Sequence, residues 1–223
     1  MVRVKVCGFT REEDLNAAEA AGVDAIGVIA DVPVDTPREV SVERARELVS
    51  GVSPFVATTL VTMPDSVEHA RELAREVRPD ILQLHADFSV VELASISEVG
   101  VRVVPVVAAT DLERAREVDS VADAILVDTP SESGAGGTGE THDWDAARKL
   151  VEAVETPVIL AGGLTPENVA DAVKTAAPYG VDVASGVERE GGIKDQSAVS
   201  KFVSRAKDES SKADVFKNAG VFA

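Results

Sequence analysis

The residues of this chain that could do chemistry stand at the ends of short apolar runs, and the first of them is its single cysteine, Cys7. It closes the stretch Arg3-Val4-Lys5-Val6-Cys7-Gly8, which alternates strictly. Val2, Val4 and Val6 fall on one face of an extended strand, and Arg3, Lys5 and Cys7 fall on the other. Valines suit a sheet surface covered by helices. A face carrying a guanidinium, an ammonium and a thiol must look into a polar interior. A lone cysteine is by default a small buried hydrophobe, but a neighbouring cation favours thiolate, so Lys5 makes Cys7 a candidate reactive group.

Other polar side chains fall into the same pattern. Gln83 shares a face with His85, Asp128 with Ala124 and Leu126, and Asp182 with Ala184, while the opposite parity is apolar each time. Polar groups at the carboxyl ends of several strands, with Arg38 on the loop after strand two, describe the mouth of a barrel. Gly162-Gly163 after one strand and Ser185-Gly186-Val187 after the next offer backbone N–H groups to an anion, and a short helix opening at Ser185-Gly186 would add its positive end. This predicts a phosphorylated ligand. His69, His85 and His142 are not at ligand spacing, so no metal is expected, and a single histidine is more often a hydrogen-bonded interior residue than a ligand.

These residues need elements to position them. Strand one leads through Gly8, and Thr10 with Glu13 reads as a capping box for a helix over 11–21. Strands are predicted over 25–30, 54–60, 80–85, 101–108, 123–128, 157–161 and 181–184. Helices alternate with them: 65–77 capped by Asp65, 89–98, one capped by Thr110 with Glu113, 145–155, one opened by Thr165 and Pro166 that runs to Lys174, and 195–207. Eight strands alternating with helices predict a single α/β domain, a closed (β/α)8 barrel over 1–207, with a tail at 208–223 to which no role is assigned. An open dinucleotide-binding sheet would place a glycine-rich turn after strand one, and Cys7-Gly8-Phe9-Thr10 is not one. The glycine-rich loop from Ser131 to Thr141 beside Asp128 is either a flexible connection or a lid that excludes water.

Composition sets the bounds. Basic residues number 22 against 39 acidic ones, a formal net charge of -17, which argues against nucleic acid or an anionic membrane as partner and for a small metabolite. Lys is scarce relative to Arg and the helices are rich in Glu and Asp, the pattern of a protein adapted to high salt. One cysteine forms no internal disulfide, Met1 leads straight into a strand, and no apolar run spans a bilayer, so the cytoplasm is the expected compartment. The assembly is expected to be a monomer or a homodimer.

Taken together, the motifs resemble the phosphoribosylanthranilate isomerase family, a (β/α)8 enzyme of tryptophan biosynthesis. The resemblance rests on Lys5-Val6-Cys7-Gly8, Thr36-Pro37-Arg38, Gln83-Leu84-His85, Asp128 with Gly136-Gly137-Thr138-Gly139 and Asp143-Trp144. It continues through Ala161 to Val169, Tyr179 to Glu188, and Ile193-Lys194-Asp195. It implies a cofactor-free Amadori rearrangement of N-(5-phosphoribosyl)anthranilate. In that reaction Asp128 would be the general acid at the furanose oxygen and Cys7 the base at C2. Arg38 would take the anthranilate carboxylate. Lys5, His85 and Asp182 would line the substrate, and Gly162, Gly163, Ser185 and Gly186 would hold the phosphate. Lys194 is set aside as a phosphate ligand, with little effect expected from its removal. A histidine-pathway aminoaldose isomerase would share the phosphate turns but carry Asp at position 7. A metal-dependent epimerase would need more His and carboxylate ligands, and a non-enzymatic sugar-phosphate sensor would have no use for the acid and base.

Overall fold

A computed structural model describes residues 1–128 and 144–219. Eight parallel strands close on themselves in sequence order: β1 (Arg3–Cys7), β2 (Ala25–Ile29), β3 (Ala57–Thr62), β4 (Ile81–Leu84), β5 (Arg102–Ala108), β6 (Ile125–Asp128), β7 (Val158–Ala161) and β8 (Gly180–Val183). Helices α1 (Glu12–Ala20), α2 (Val42–Ser50), α3 (Val67–Val77), α4 (Val90–Ser97), α5 (Leu112–Val118), α6 (Trp144–Ala153), α7 (Val169–Ala176) and α8 (Gln196–Ala219) cover the outside. A short antiparallel hairpin, β9 (Glu188–Glu190) with β10 (Ile193–Lys194), precedes α8. The expected barrel is the observed one, with boundaries moved by one to three residues at most strands.

The alternation in β1 is realised as two environments. Val2, Val4 and Val6 are buried beneath the helices in the main apolar layer, together with Ile26, Val28, Leu60, Leu82 and Leu84. The opposite parity points into the barrel, where Val104, Ala124, Leu126 and Ala161 form a smaller apolar cluster. The same interior also holds polar side chains, with Lys5, Gln83 and Asp182 all buried. Two layers of opposite character on one strand are what fix its register.

Several helix starts differ from expectation. The Thr10 hydroxyl does not cap α1; it donates to the Gly192 carbonyl (2.8 Å), and Arg11 becomes the extended residue before the helix, with no side-chain cap. Ser66 rather than Asp65 caps α3, and Asp111 rather than Thr110 caps α5. Thr165 and Pro166 form a turn held by Asn168, whose side-chain oxygen accepts from the Thr165 N–H, and α7 begins only at Val169. The box at Ser89 and Glu92 is present with both of its hydrogen bonds. Helix α8 continues beyond Lys207 to Ala219. The loop over 131–141 lies outside the described residues.

Candidate active site

Cys7 ends β1 at the carboxyl mouth of the barrel, only 5 % exposed. Lys5 and Asp182 are direct partners across the β1–β8 seam, and the Lys5 ammonium donates to Asp182 Oδ2 at 2.8 Å, both groups buried. Burial alone would discharge Lys5, but Asp182 and Cys7 together hold it cationic, above the usual lysine value. Asp182 Oδ1 is buried with no hydrogen-bond partner.

The thiol departs from expectation. Lys5 does pull its pKa down, as the sequence suggests, but burial is the larger influence and Asp182 adds to it, so the Cys7 pKa lies above the ordinary thiol value. A thiol shifted in this direction favours its protonated form and has a stronger conjugate base. Space for its sulfur comes from Gly27, its partner across the β1–β2 ladder: a β carbon there would sit 2.7 Å from Sγ and 3.2 Å from Lys5 Cε. Gly27, absent from the expected site residues, has a sequence signal of its own, since a glycine inside a strand marks close approach.

Asp128 ends β6 half-buried, and burial raises its pKa, with nearby His85 opposing and Asp182 reinforcing the shift. His85 follows β4; burial lowers its pKa and keeps the imidazole neutral, and the Gln83 amide nitrogen donates to its Nε2 at 2.9 Å. A carboxyl inclined to hold its proton and a thiol inclined to take one are thus at the ends of strands of a single mouth.

The two anion turns also meet. Gly162 and Gly163 both take positive φ (90° and 58°), a region glycine enters without strain. The Gly163 carbonyl accepts from Asn168 Nδ2 (3.0 Å). The expected helix at Ser185 is a single 3₁₀ turn, Ser185–Val187. It packs so closely on β7's loop that a β carbon on Gly186 would lie 1.9 Å from the Leu164 carbonyl oxygen. Glycine at 186 is therefore what lets the two turns pack against each other.

Arg38 reaches this mouth across Gly8, whose missing side chain leaves room for the arginine stem. Its guanidinium pairs with Glu188: Nε to Oε1 at 3.0 Å and Nη2 to Oε2 at 2.7 Å. Lys194, fully buried, donates to the same carboxylate (Oε1, 2.7 Å) and to the carbonyls of Cys7 and Ala184. Lys194 thus ties the ends of β1 and β8 together, a structural role beside the expectation that it is no phosphate ligand. Among the described residues no group of His, Cys, Asp and Glu is arranged to hold a metal ion, and no helix is long and apolar enough to cross a membrane.

A (β/α)8 barrel with paired glycine turns after its last two strands and an acid, a thiol and a guanidinium at one mouth is a sugar-phosphate enzyme in its class. Residues 4–205 match the family of N-(5'phosphoribosyl)anthranilate (PRA) isomerase, and the chain belongs to that family. It is 69% identical over 207 residues to the N-(5'-phosphoribosyl)anthranilate isomerase of Haloferax volcanii, covering 93% of this chain and 94% of that one. The Halobacterium salinarum enzyme is 57% identical over 210 residues, covering 92% and 96%. Both sources are halophilic archaea, in agreement with the salt reading of the charge. Among solved structures, phosphoribosyl anthranilate isomerase from Thermotoga maritima superposes with a TM-score of 0.83 at 33% identity, covering 93% of this chain and all of that one. A phosphoribosyl anthranilate isomerase in complex with reduced 1-(o-carboxyphenylamino)-1-deoxyribulose 5-phosphate superposes with a TM-score of 0.80 at 32% identity, again covering 93% of this chain and all of that one.

Proposed function

We propose that the chain isomerises N-(5-phosphoribosyl)anthranilate to the open-chain 1-deoxyribulose phosphate with Asp128 as acid and Cys7 as base. The observation that carries this is the pairing of a carboxyl whose pKa is raised by burial with a thiol backed by a buried ammonium at one barrel mouth. Asp128 gives its proton to the furanose oxygen as the C1–O bond breaks, and the anilino nitrogen lone pair forms the iminium. Cys7, ionised, removes the proton on C2; the C2–H electrons form the enolamine double bond and the iminium electrons return to nitrogen. Tautomerisation then yields the ketone.

Lys5 holds negative charge near C2, and Asp182 fixes Lys5 while its open Oδ1 accepts a sugar hydroxyl. Gly162, Gly163, Ser185 and Gly186 receive the phosphate through backbone N–H groups, His85 lines the substrate as a neutral donor, and Arg38 receives the ring carboxylate. A free thiol with this duty suits a reducing cytoplasm.

The assembly we propose is a homodimer. Phe55 is 95% exposed and, with Tyr179, borders a cavity of about 300 Å³ at the amino end of the barrel; the related Thermotoga maritima enzyme is described as dimeric. Sedimentation of the wild type against Phe55→Ser tests it, and a monomer in both overturns it.

The function itself is tested by following the loss of substrate fluorescence. Asp128→Asn and Cys7→Ala should each lower kcat by about 10²- to 10⁴-fold with KM little changed. Near wild-type kcat in Cys7→Ala would make the thiol a packing residue.

A further inference from the structure

The hairpin β9–β10 has no part in the chemistry described above, yet it is bound to the mouth from several sides. Its tip packs on loop two, where a β carbon on Gly191 would lie 2.5 Å from Pro37 Cγ and one on Gly192 2.5 Å from the Pro37 carbonyl oxygen. Thr10 donates to the Gly192 carbonyl, and the Lys194 N–H donates to the buried Asp14 carboxylate of α1. At its base Glu188 and Lys194 stand opposite each other in the ladder. The Glu188 side chain is 5% exposed and that of Lys194 1%, so both are fixed, while Arg38 at 24% still faces the opening.

The arginine's contacts are directional. Glu188 occupies Nε and one proton of Nη2, the lateral edge of the guanidinium. A guanidinium has five N–H donors in a rigid plane, so the end-on Nη1/Nη2 fork remains for a second carboxylate. Glu188 also lies between Arg38 and Lys194, pairing with both at 2.7 Å, so one carboxylate serves two basic side chains. A bare arginine on a loop would have to be ordered by the substrate itself, at a cost in affinity.

We propose that Glu188, anchored from behind by Lys194, is a positioning residue for substrate specificity: it fixes Arg38 so that only the Nη1/Nη2 fork meets the ring carboxylate. The inference rests on the isomerase reading of the site and on Arg38 as the carboxylate receptor. Glu188 touches no reacting atom, so its removal acts on recognition and leaves the proton transfers in place.

Two substrates distinguish this from a merely structural role: N-(5-phosphoribosyl)anthranilate and the same compound built on aniline, which lacks the ring carboxylate. Glu188→Gln should raise KM for the first by about 10- to 100-fold, the range of one or two hydrogen bonds to a charged group, with kcat within about twofold. On the aniline substrate the variant and the wild type should be alike. In an Arg38→Met background the added Glu188→Gln change should have no further effect, because the residue acts through Arg38. Should the glutamine variant not fold, Glu188→Asp withdraws the carboxylate by one methylene and is read the same way. Equal losses on both substrates, a fall in kcat at unchanged KM, or a fall in KM showing that Glu188 competes with substrate for Arg38 would each overturn the proposal. A wild type inert on both compounds would instead overturn the isomerase reading.

Discussion

Gly27 faces Cys7 across the β1–β2 ladder, and the thiol occupies the space that any other residue's β carbon would need, 2.7 Å from Sγ. The clash is with a rotatable side chain, so the cheapest relief is for the sulfur to move. Gly27→Ala should therefore leave the fold intact and misplace the base. A displacement of about 1 Å costs on the order of 10²-fold in rate. Thermal unfolding beside kcat is the measurement, and a variant as active as the wild type would show that the thiol position is not critical.

The pH dependence follows from the two raised pKa values. On the proposed mechanism the active form needs Asp128 protonated and Cys7 ionised, while the thiol is intrinsically the weaker acid and burial raises the pKa of both groups. The rate kcat/KM should then be bell-shaped, its acid limb set by the carboxyl, its alkaline limb by the thiol, and its plateau by the small fraction with both in the working state. Lys5 lowers the Cys7 pKa, and Asp182 raises it by less. Replacing the pair by Lys5→Met with Asp182→Asn, which leaves no buried unpaired charge, should move the alkaline limb upward and lower the plateau. A profile unchanged by the double substitution would remove Lys5 from the chemistry.

Gly186→Ala tests the joining of the anion turns. A methyl group 1.9 Å from the Leu164 carbonyl oxygen has no space, so the 3₁₀ turn or loop seven must shift. Overpacking of this kind costs roughly 1–3 kcal/mol. The melting temperature should fall and KM should rise more than kcat drops. Inorganic phosphate should protect the wild type against unfolding by mass action, and should protect this variant less. Equal protection would place the phosphate elsewhere.

The charge of -17 predicts salt dependence. Self-repulsion is screened within about 8 Å at physiological ionic strength and within about 3 Å at 1 M salt. The melting temperature should climb with KCl over the molar range. A protein equally stable in dilute buffer would refute salt adaptation without touching the enzyme assignment.

What the sequence made legible was periodic or local. The two-residue alternation in β1 placed Cys7 and Lys5 inside the barrel because a sheet has only two faces, and Ser89 with Glu92 caps α4 through neighbours three residues apart. Thr10 with Glu13 shows the same spacing and does not cap, because the Gly192 carbonyl, 182 residues away, accepts its proton instead. The direction of the Cys7 shift differs from the one its neighbour Lys5 suggests, for a related reason. A neighbouring lysine is visible in the sequence, but the degree of burial that outweighs it is set by the whole barrel. Glu188 and Lys194 stood within recognised motifs without a role, since nothing in their own stretch identifies Arg38 and the Cys7 carbonyl as their partners.

The Lys5–Asp182 pair, whose members are 177 residues apart, and the Lys194 contact with the Cys7 carbonyl, spanning 187, have a consequence for the order of events during synthesis. Strand β1 leaves the ribosome first, yet its closing partner β8 and the hairpin that follows come nearly last. Throughout translation the lysine behind the thiol has no counterion and the barrel has an open edge. The contacts that close the mouth are therefore complete only when residue 194 has joined the first strand. A chain truncated before that point carries its acid and its thiol with no mouth to hold them together.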